Sequence, residues 1–205
     1  MTESQKALLL LGPTGSGKSP LGDLLEKQGI SDRRAAHFDF GAHLRNAVAH
    51  PEDYPLLIPD DIALLIEKLS ANALLEDREF YLAENIIKSF ITQNHLGSDA
   101  ILILNGIPRH IGQAKAINKI VRIETVVLLE CSADVVLQRI SNNTGGDRTD
   151  RSDDTRYEIE RKLKTFEERT LPLLDFYTKR KIDIIHIPVT TTMTPEDMLG
   201  IISLI

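Results

Sequence analysis

The stretch Gly12-Pro13-Thr14-Gly15-Ser16-Gly17-Lys18-Ser19 decides how this chain folds. It matches the pattern G-x-x-x-x-G-K-[ST] in full, and it lies between an apolar run at 7–11 and a segment with helical spacing at 18–28. Glycines at these positions allow backbone turns that aim successive N–H groups at phosphate oxygens, and the following helix offers its positive N-terminus. The pattern therefore predicts a phosphate-binding loop between a buried strand and a helix.

Two side chains at the end of this loop indicate a nucleoside triphosphate together with a metal ion. Lys18 is placed to bridge the β- and γ-phosphates, and the Ser19 hydroxyl is placed to ligate Mg²⁺. Pro20 is compatible with the first turn of the helix, where its missing N–H removes no intrahelical bond. The loop by itself leaves ATPases, GTPases and kinases open.

The rest of the chain alternates between apolar runs and segments with helical spacing. The runs predict strands at 7–11, 36–39, 100–104, 125–129 and 184–189. The helical spacing falls at 18–28, 41–49, 60–72, 75–95, 111–121, 133–141, 155–179 and 195–205. Continuous apolar runs suit strands that are buried on both faces. The alternation therefore predicts an α/β fold with a five-stranded parallel sheet flanked by helices.

Composition and charge exclude several classes of protein. A formal net charge of -6 argues against a protein whose main partner is nucleic acid, because such binding needs clustered Lys and Arg. The apolar runs are too short to span a membrane, and the first six residues do not resemble a signal peptide. Cys131 is the only cysteine, which leaves no intramolecular disulfide and no cysteine cluster for zinc. We expect a soluble cytoplasmic protein with no nucleic-acid or membrane partner.

The segment after the third predicted strand carries a resemblance to a known family. Asn105-Gly106-Ile107-Pro108-Arg109, followed by Gln113-Ala114, resembles the D-G-F-P-R and Q-A of the adenylate kinase and nucleoside monophosphate kinase family. The resemblance implies that Arg109 grips the α-phosphate of the acceptor nucleotide and that Gln113 hydrogen-bonds adenine. The segment from Phe40 to Arg45 is similar to the family's T-G-D-L-L-R, which implies that Arg45 is a second ligand of the acceptor phosphate.

Further motifs of this family follow in the same order. Ile58-Pro59-Asp60 resembles V-P-D, and residues 134–140 resemble the helix whose arginine, here Arg139, lies against the ATP base. Arg151-Ser152-Asp153-Asp154 is similar to the lid-closing R-x-D-D, Arg161-Lys162-Leu163 stands where K-R-L is usual, and 170–177 is similar to T-x-P-L-x-x-Y-Y. The resemblance implies a three-layer P-loop NTPase fold in one unit. Its core is expected at about 1–39, 71–141 and 154–205, an NMP-binding helical insertion at about 40–70 and a short lid at about 142–153.

These observations assign a role to each candidate site residue. The expected catalytic residues are Lys18, Arg109, Arg151 and Lys162. The expected ATP-binding residues are Gly12, Pro13, Thr14, Gly15, Ser16, Gly17, Lys18, Ser19 and Arg139. The expected acceptor-binding residues are Phe40, Arg45, Gly106, Arg109, Gln113, Arg151 and Lys162. Magnesium is expected at Ser19 and, through water, at Asn105.

The arginine-rich and base-poor inventory suits a phosphate acceptor. A monophosphate is already largely dianionic at neutral pH, so no general base is required. The site must instead bring two polyanions into line and screen their charge, and Arg148 and Arg161 are further candidates for that work. We therefore predict a nucleoside monophosphate kinase, and the resemblance implies a monomer that acts with Mg²⁺ on ATP and AMP. Zinc is not expected, because the short lid has no cysteines.

The chain also departs from the family pattern. Asn105 replaces an aspartate that helps to hold water on Mg²⁺, so an acceptor oxygen is kept but a negative charge is lost. Phe40 replaces a threonine associated with AMP recognition.

Several alternatives therefore remain. One is a UMP/CMP-type kinase, which 151–154 followed by Arg156 resembles. Another is a nucleotide sensor with weak or lost transfer. A third is a kinase for a small alcohol that uses Asp39 at the end of the second strand.

Overall fold

A five-stranded parallel sheet forms the centre of the computed structural model, which describes residues 4–147 and 155–202. Its strand order is β2-β3-β1-β4-β5, and every neighbouring pair is parallel. The strands are β1 (Gln5–Leu11), β2 (Ala35–Asp39), β3 (Ile101–Asn105), β4 (Val121–Glu130) and β5 (Asp183–Pro188). The predicted α/β fold with a five-stranded parallel sheet is confirmed.

Helices cover both faces of the sheet. They are α1 (Lys18–Gln28), α2 (Phe40–Ala49), α3 (Pro59–Ser70), α4 (Phe80–Gln93), α5 (Ile111–Ile117), α6 (Ala133–Ser141), α7 (Arg156–Thr165), α8 (Leu173–Thr178) and α9 (Pro195–Ile202). Short 3₁₀ turns occupy Pro51–Asp53 and Asp77–Glu79.

Alternate residues of the strands pack into two separate cores, one on each side of the sheet. Leu9 of β1 belongs to the larger cluster, which includes side chains of α4, α5 and α8. Leu8 and Leu10 belong to the smaller cluster, which includes side chains of α1 and α9. Because both faces are covered, each strand contains a run of consecutive buried or partly buried apolar residues, such as 7–11 in β1 and 126–129 in β4, as the sequence predicted.

One predicted helix, 155–179, is wrong as a single element. The chain instead forms α7, a π-helical turn at Phe166–Thr170 and then α8. The Leu171 N–H donates to the Phe166 carbonyl over 2.8 Å, a bond that spans five residues, and Pro172 follows without an N–H of its own. The interruption therefore lies where the normal helical ladder cannot continue.

Two other predicted helices are shorter than expected. The helix predicted at 75–95 begins at Phe80 after the 3₁₀ turn, and the one predicted at 111–121 ends at Ile117 because β4 starts at Val121. Residues 40–70 hold α2, a 3₁₀ turn and α3. Half of the predicted lid, 148–153, lies outside the described residues, and the division into core, insertion and lid stays a prediction.

Candidate active site

The phosphate-binding loop runs from the end of β1 into α1. Gly12 and Gly17 adopt φ of 154° and 100°. A Cβ on Gly12 would lie 2.9 Å from the Leu129 carbonyl oxygen, and one on Gly17 would lie 3.1 Å from Nη2 of Arg139. Both the backbone angle and the close neighbours therefore require glycine at these two positions.

The N-terminus of α1 meets the loop directly, with Lys18 as the first residue of the helix. The first turn of α1 contains no acidic residue. Lys18 Nζ donates to the carbonyl oxygens of Gly12 and Pro13, each over 2.7 Å, so the lysine lies over the loop. Positive charge and helix dipole thus act on the same small volume, which suits a polyphosphate.

Arg139 lies behind the loop, and its side chain is buried. It is 2% exposed, and it donates to the carbonyl oxygens of Gly15 (3.2 Å), Thr190 (2.7 Å) and Met193 (2.8 Å). Burial lowers the pKa of its guanidinium from the usual value. Its contacts hold the loop to the segment before α9, and its expected contact with the ATP base stays a prediction.

A cavity of about 540 Å³ opens in front of the loop and is lined by cationic side chains. Arg45 on α2 and Arg109 after β3, both exposed, line the same cavity as Lys18. From α7 come Arg161 and Lys162. The structure therefore brings together five of the cations that were predicted for the donor and acceptor phosphates.

Most of the other predicted site residues that the structure describes also line this cavity. They are Gly12, Pro13, Thr14, Gly15, Gly17, Ser19, Phe40, Asn105, Gly106 and Gln113. Ser16 does not: its side chain is fully buried. Arg148, Arg151, Asp153 and Asp154 lie outside the described residues, so their expected roles stay predictions.

Gln113 fixes the segment that carries Arg109. Its Oε1 accepts from the Arg109 backbone N–H over 2.8 Å, and its Nε2 donates to the Leu75 carbonyl over 2.8 Å. Arg109 Nε donates to the Gly106 carbonyl over 2.9 Å. Gln113 thus positions Arg109, and its expected contact with adenine stays a prediction.

Two further cations line the cavity and were missed by sequence reasoning. Lys68 Nζ lies 2.7 Å from Glu79 Oε2, and Arg169 pairs with both oxygens of Glu76, over 2.8 and 2.9 Å. The Arg169 hydrogen bond lowers the pKa of Glu76. Sequence reasoning could not single out these two residues, because most charged residues on helices are exposed to solvent. Only the fold places them at the cavity.

Ser19 has an acidic neighbour at the foot of the loop. The Ser19 hydroxyl donates to Asp39 Oδ2 over 2.6 Å, and Nδ2 of Asn105 lies 2.9 Å from the same oxygen. A hydroxyl and a carboxylate are oxygen ligands of the kind that Mg²⁺ prefers, so the residues present fit the ion. Nucleotide phosphates and water would complete its coordination.

Cys131, near the loop, is no nucleophile at neutral pH. Burial raises the pKa of its thiol to about 11, although Arg139 and Lys18 act in the opposite direction. The thiolate needed for nucleophilic attack is therefore scarce.

Within residues 4–147 and 155–202, no helix combines the length and apolar character needed to cross a membrane.

Fold and site together define a P-loop nucleotide-binding protein whose cationic cavity extends beyond the triphosphate loop. Residues 10–182 match the family model described as "Adenylate kinase". The chain therefore belongs to the adenylate kinase family, and it is an ATP-dependent phosphotransferase.

Curated relatives agree with this assignment at modest identity. The chain is 31% identical to an adenylate kinase of Prochlorococcus marinus (strain MIT 9211) over 178 residues, which cover 83% of this chain and 82% of that protein. It is 27% identical to an adenylate kinase of Treponema denticola over 85% of this chain and 88% of that one. For an adenylate kinase of Thermobifida fusca the identity is 28%, over 87% and 89%.

Proposed function

We propose that this chain transfers the γ-phosphoryl group of Mg·ATP to AMP and so forms two ADP. The observation that carries the proposal is that Lys18 of the loop and two separate arginines, Arg45 and Arg109, line one cavity. The loop suits a triphosphate, and guanidinium groups suit a second phosphate facing it. The name of these relatives, adenylate kinase, supports AMP as the acceptor.

The reaction follows from charge and position. An oxygen of the acceptor's dianionic phosphate attacks the γ-phosphorus, the bond to the β–γ bridging oxygen breaks, and ADP leaves with the electron pair. Magnesium, when bound with ATP, neutralises charge on the donor phosphates. Lys18 holds the donor, Arg45 and Arg109 hold the acceptor, and Arg161 and Lys162 screen the phosphoryl group between them. No side chain has to remove a proton.

The test is a coupled assay with a panel of AMP, CMP, UMP, GMP and dTMP. We expect the highest kcat/KM with AMP. A higher kcat/KM with CMP or UMP would show that the acceptor is a pyrimidine monophosphate rather than AMP. Tight ATP binding with no turnover on any acceptor would indicate a nucleotide sensor instead. Transfer to a small alcohol would contradict the proposal that the acceptor group is a phosphate.

Two substitutions test the acceptor side. Arg45→Ala and Arg109→Ala should each lower kcat/KM for the acceptor by about 10- to 100-fold, because a hydrogen bond to a charged group contributes about 1.5–3 kcal/mol. The KM for ATP should change little. Arg122→Ala is the matched control, since Arg122 lies on β4 and pairs with Glu124 over 2.5 Å. An equal rise in the KM for ATP and in the KM for the acceptor would contradict the separate acceptor role.

A cytoplasmic location and a monomeric state stay predictions.

A further inference from the structure

Three polar side chains meet where the phosphate-binding loop enters α1. Ser19 Oγ lies 2.6 Å from Asp39 Oδ2, Asn105 Nδ2 lies 2.9 Å from Asp39 Oδ2, and Asn105 Nδ2 lies 3.1 Å from Ser19 Oγ. All three line the cavity. These three side chains therefore form one polar cluster in the lining of the site.

The sheet fixes two members of this group. Asp39 is the last residue of β2 and Asn105 the last of β3, and the two are direct partners in the parallel register. The carboxyl ends of neighbouring parallel strands meet at one edge, where ligands bind in open α/β sheets. Asp39 is also anchored by α2, because the Ala42 N–H donates to its Oδ1 over 3.0 Å. Its Oδ2 is thereby left facing Ser19.

A second pair of residues determines which end of the Asn105 amide faces this group. His37 Nδ1 lies 2.7 Å from Asp23 Oδ1, and a carboxylate accepts only, so Nδ1 carries the proton. In the neutral ring Nε2 is then an acceptor, and Asn105 Nδ2 lies 3.3 Å from it. The amide therefore presents its NH₂ group, which repels a cation, toward His37, Ser19 and Asp39.

Asp39 carries the only carboxylate among these three side chains. The Ser19 hydroxyl donates its proton to Asp39, and its oxygen keeps a lone pair for a metal ion. Magnesium is commonly held by a loop Ser or Thr, a carboxylate and phosphate oxygens. We propose that Asp39, rather than Asn105, supplies the carboxylate for the magnesium ion of the donor nucleotide, and that Asn105 is a positioning residue that holds Asp39 beside Ser19.

This inference rests on the proposed function only in requiring Mg·ATP as the donor. Its test can therefore be made by binding alone. Manganese, observed by electron paramagnetic resonance, replaces magnesium in the presence of a non-hydrolysable ATP analogue. A fluorescent ATP analogue in EDTA measures nucleotide binding without metal. Failure of the acceptor panel leaves both measurements intact, so the two failures are distinguishable.

Asp39→Asn is the decisive variant, because Asn is as good a helix N-cap as Asp and preserves α2. We expect Mn²⁺ affinity in the ternary complex to fall about 10- to 100-fold, with nucleotide binding in EDTA unchanged. Asp183→Asn is the matched control, since it removes the same charge from an exposed position at the start of β5, the opposite edge of the sheet from Ser19. Unchanged Mn²⁺ affinity in Asp39→Asn, or an equal loss in Asp183→Asn, overturns the proposal.

The double variant Asp39→Asn with Asn105→Asp exchanges the carboxylate and the amide across the register pair. It should recover most of the Mn²⁺ affinity that Asp39→Asn loses, because one carboxylate again faces Ser19. No recovery in a variant that still binds nucleotide in EDTA would overturn the claim that the two positions share one metal-facing charge.

Discussion

At the scale of single residues, polar groups at the site depend on partners that are distant in sequence. Glu79 is 5% exposed, and its carboxylate lies 2.7 Å from Lys68 Nζ. Burial acts to raise the pKa of Glu79, but hydrogen bonds from Lys68 and from the Glu76 backbone lower it overall. A buried carboxylate with a lowered pKa stabilises the fold only while it is ionised.

Lys68→Met should destabilise the protein by roughly 2 kcal/mol at neutral pH, because it leaves the buried Glu79 carboxylate without its cation. In the parent protein the contribution of Glu79 is fully present above its ordinary pKa of 4.5 and is lost as pH falls through the lower folded value. The variant should lack that dependence. Urea denaturation between pH 3 and 7 measures both effects.

Lys88→Met is the matched control for that experiment. Its ion pair with Glu84 is a half-exposed pair within one helix, so the change should cost less than about 0.5 kcal/mol. Equal losses in the two variants would show that the Lys68 pair is no more than a surface pair.

Gly22 lies in α1, where Ala would ordinarily stabilise a helix by about 1 kcal/mol. A Cβ at this position would overlap the His37 ring. Gly22→Ala should therefore destabilise the protein by about 1–3 kcal/mol. In a His37→Ala background the same change should become neutral or stabilising, and thermal denaturation of the four proteins measures the sign. Destabilisation of equal size in both backgrounds would rule out the ring as the cause.

At the scale of elements, helical spacing in the sequence predicted the bounds of two helices correctly. The bounds predicted for α1 and α6, 18–28 and 133–141, agree with the structure. Ser132 accepts from the Val135 N–H at the start of α6 over 3.3 Å. The π turn at Phe166–Thr170 was not foreseen, because one extra residue in a turn leaves the apolar spacing nearly unchanged.

The π turn contacts the segment that carries Arg109. Thr170 Oγ1 donates to the Arg109 carbonyl over 2.9 Å. Thr170→Val should cost about 1 kcal/mol of stability and should raise the KM for the acceptor without raising the KM for ATP, because Arg109 loses a support. Thr170→Ser should restore both values. Urea denaturation and two-substrate kinetics provide the measurements.

Ser70→Ala is a suitable comparison for Thr170→Val, since the Ser70 hydroxyl bonds only within α3, to the Ile66 carbonyl over 2.8 Å. A KM for ATP that rises as much as that for the acceptor would argue against positioning of Arg109.

At the scale of the whole molecule, the proposed donor and acceptor sites should give additive ligand effects on stability. A ligand at 100 times its Kd stabilises a protein by about 2.7 kcal/mol, or roughly 5–11 °C in Tm for a chain of this size. A non-hydrolysable ATP analogue and AMP should each raise Tm, and together they should raise it further. Differential scanning calorimetry measures the shifts. A combined shift no larger than that of the analogue alone would mean that AMP competes for the loop.

The sequence by itself determined the phosphate-binding loop, the parallel sheet and the bounds of α1 and α6, because each depends on a local pattern of glycines, apolar runs and helical spacing. It also marked Arg45 and Arg109 by resemblance. Only the tertiary structure decided that Asp39 lies beside Ser19 and Asn105, and that Lys68 and Arg169 line the cavity in ion pairs. The physical reason is that β3 pairs between β2 and β1, and such lateral packing joins residues whose separation in the chain carries no local signal.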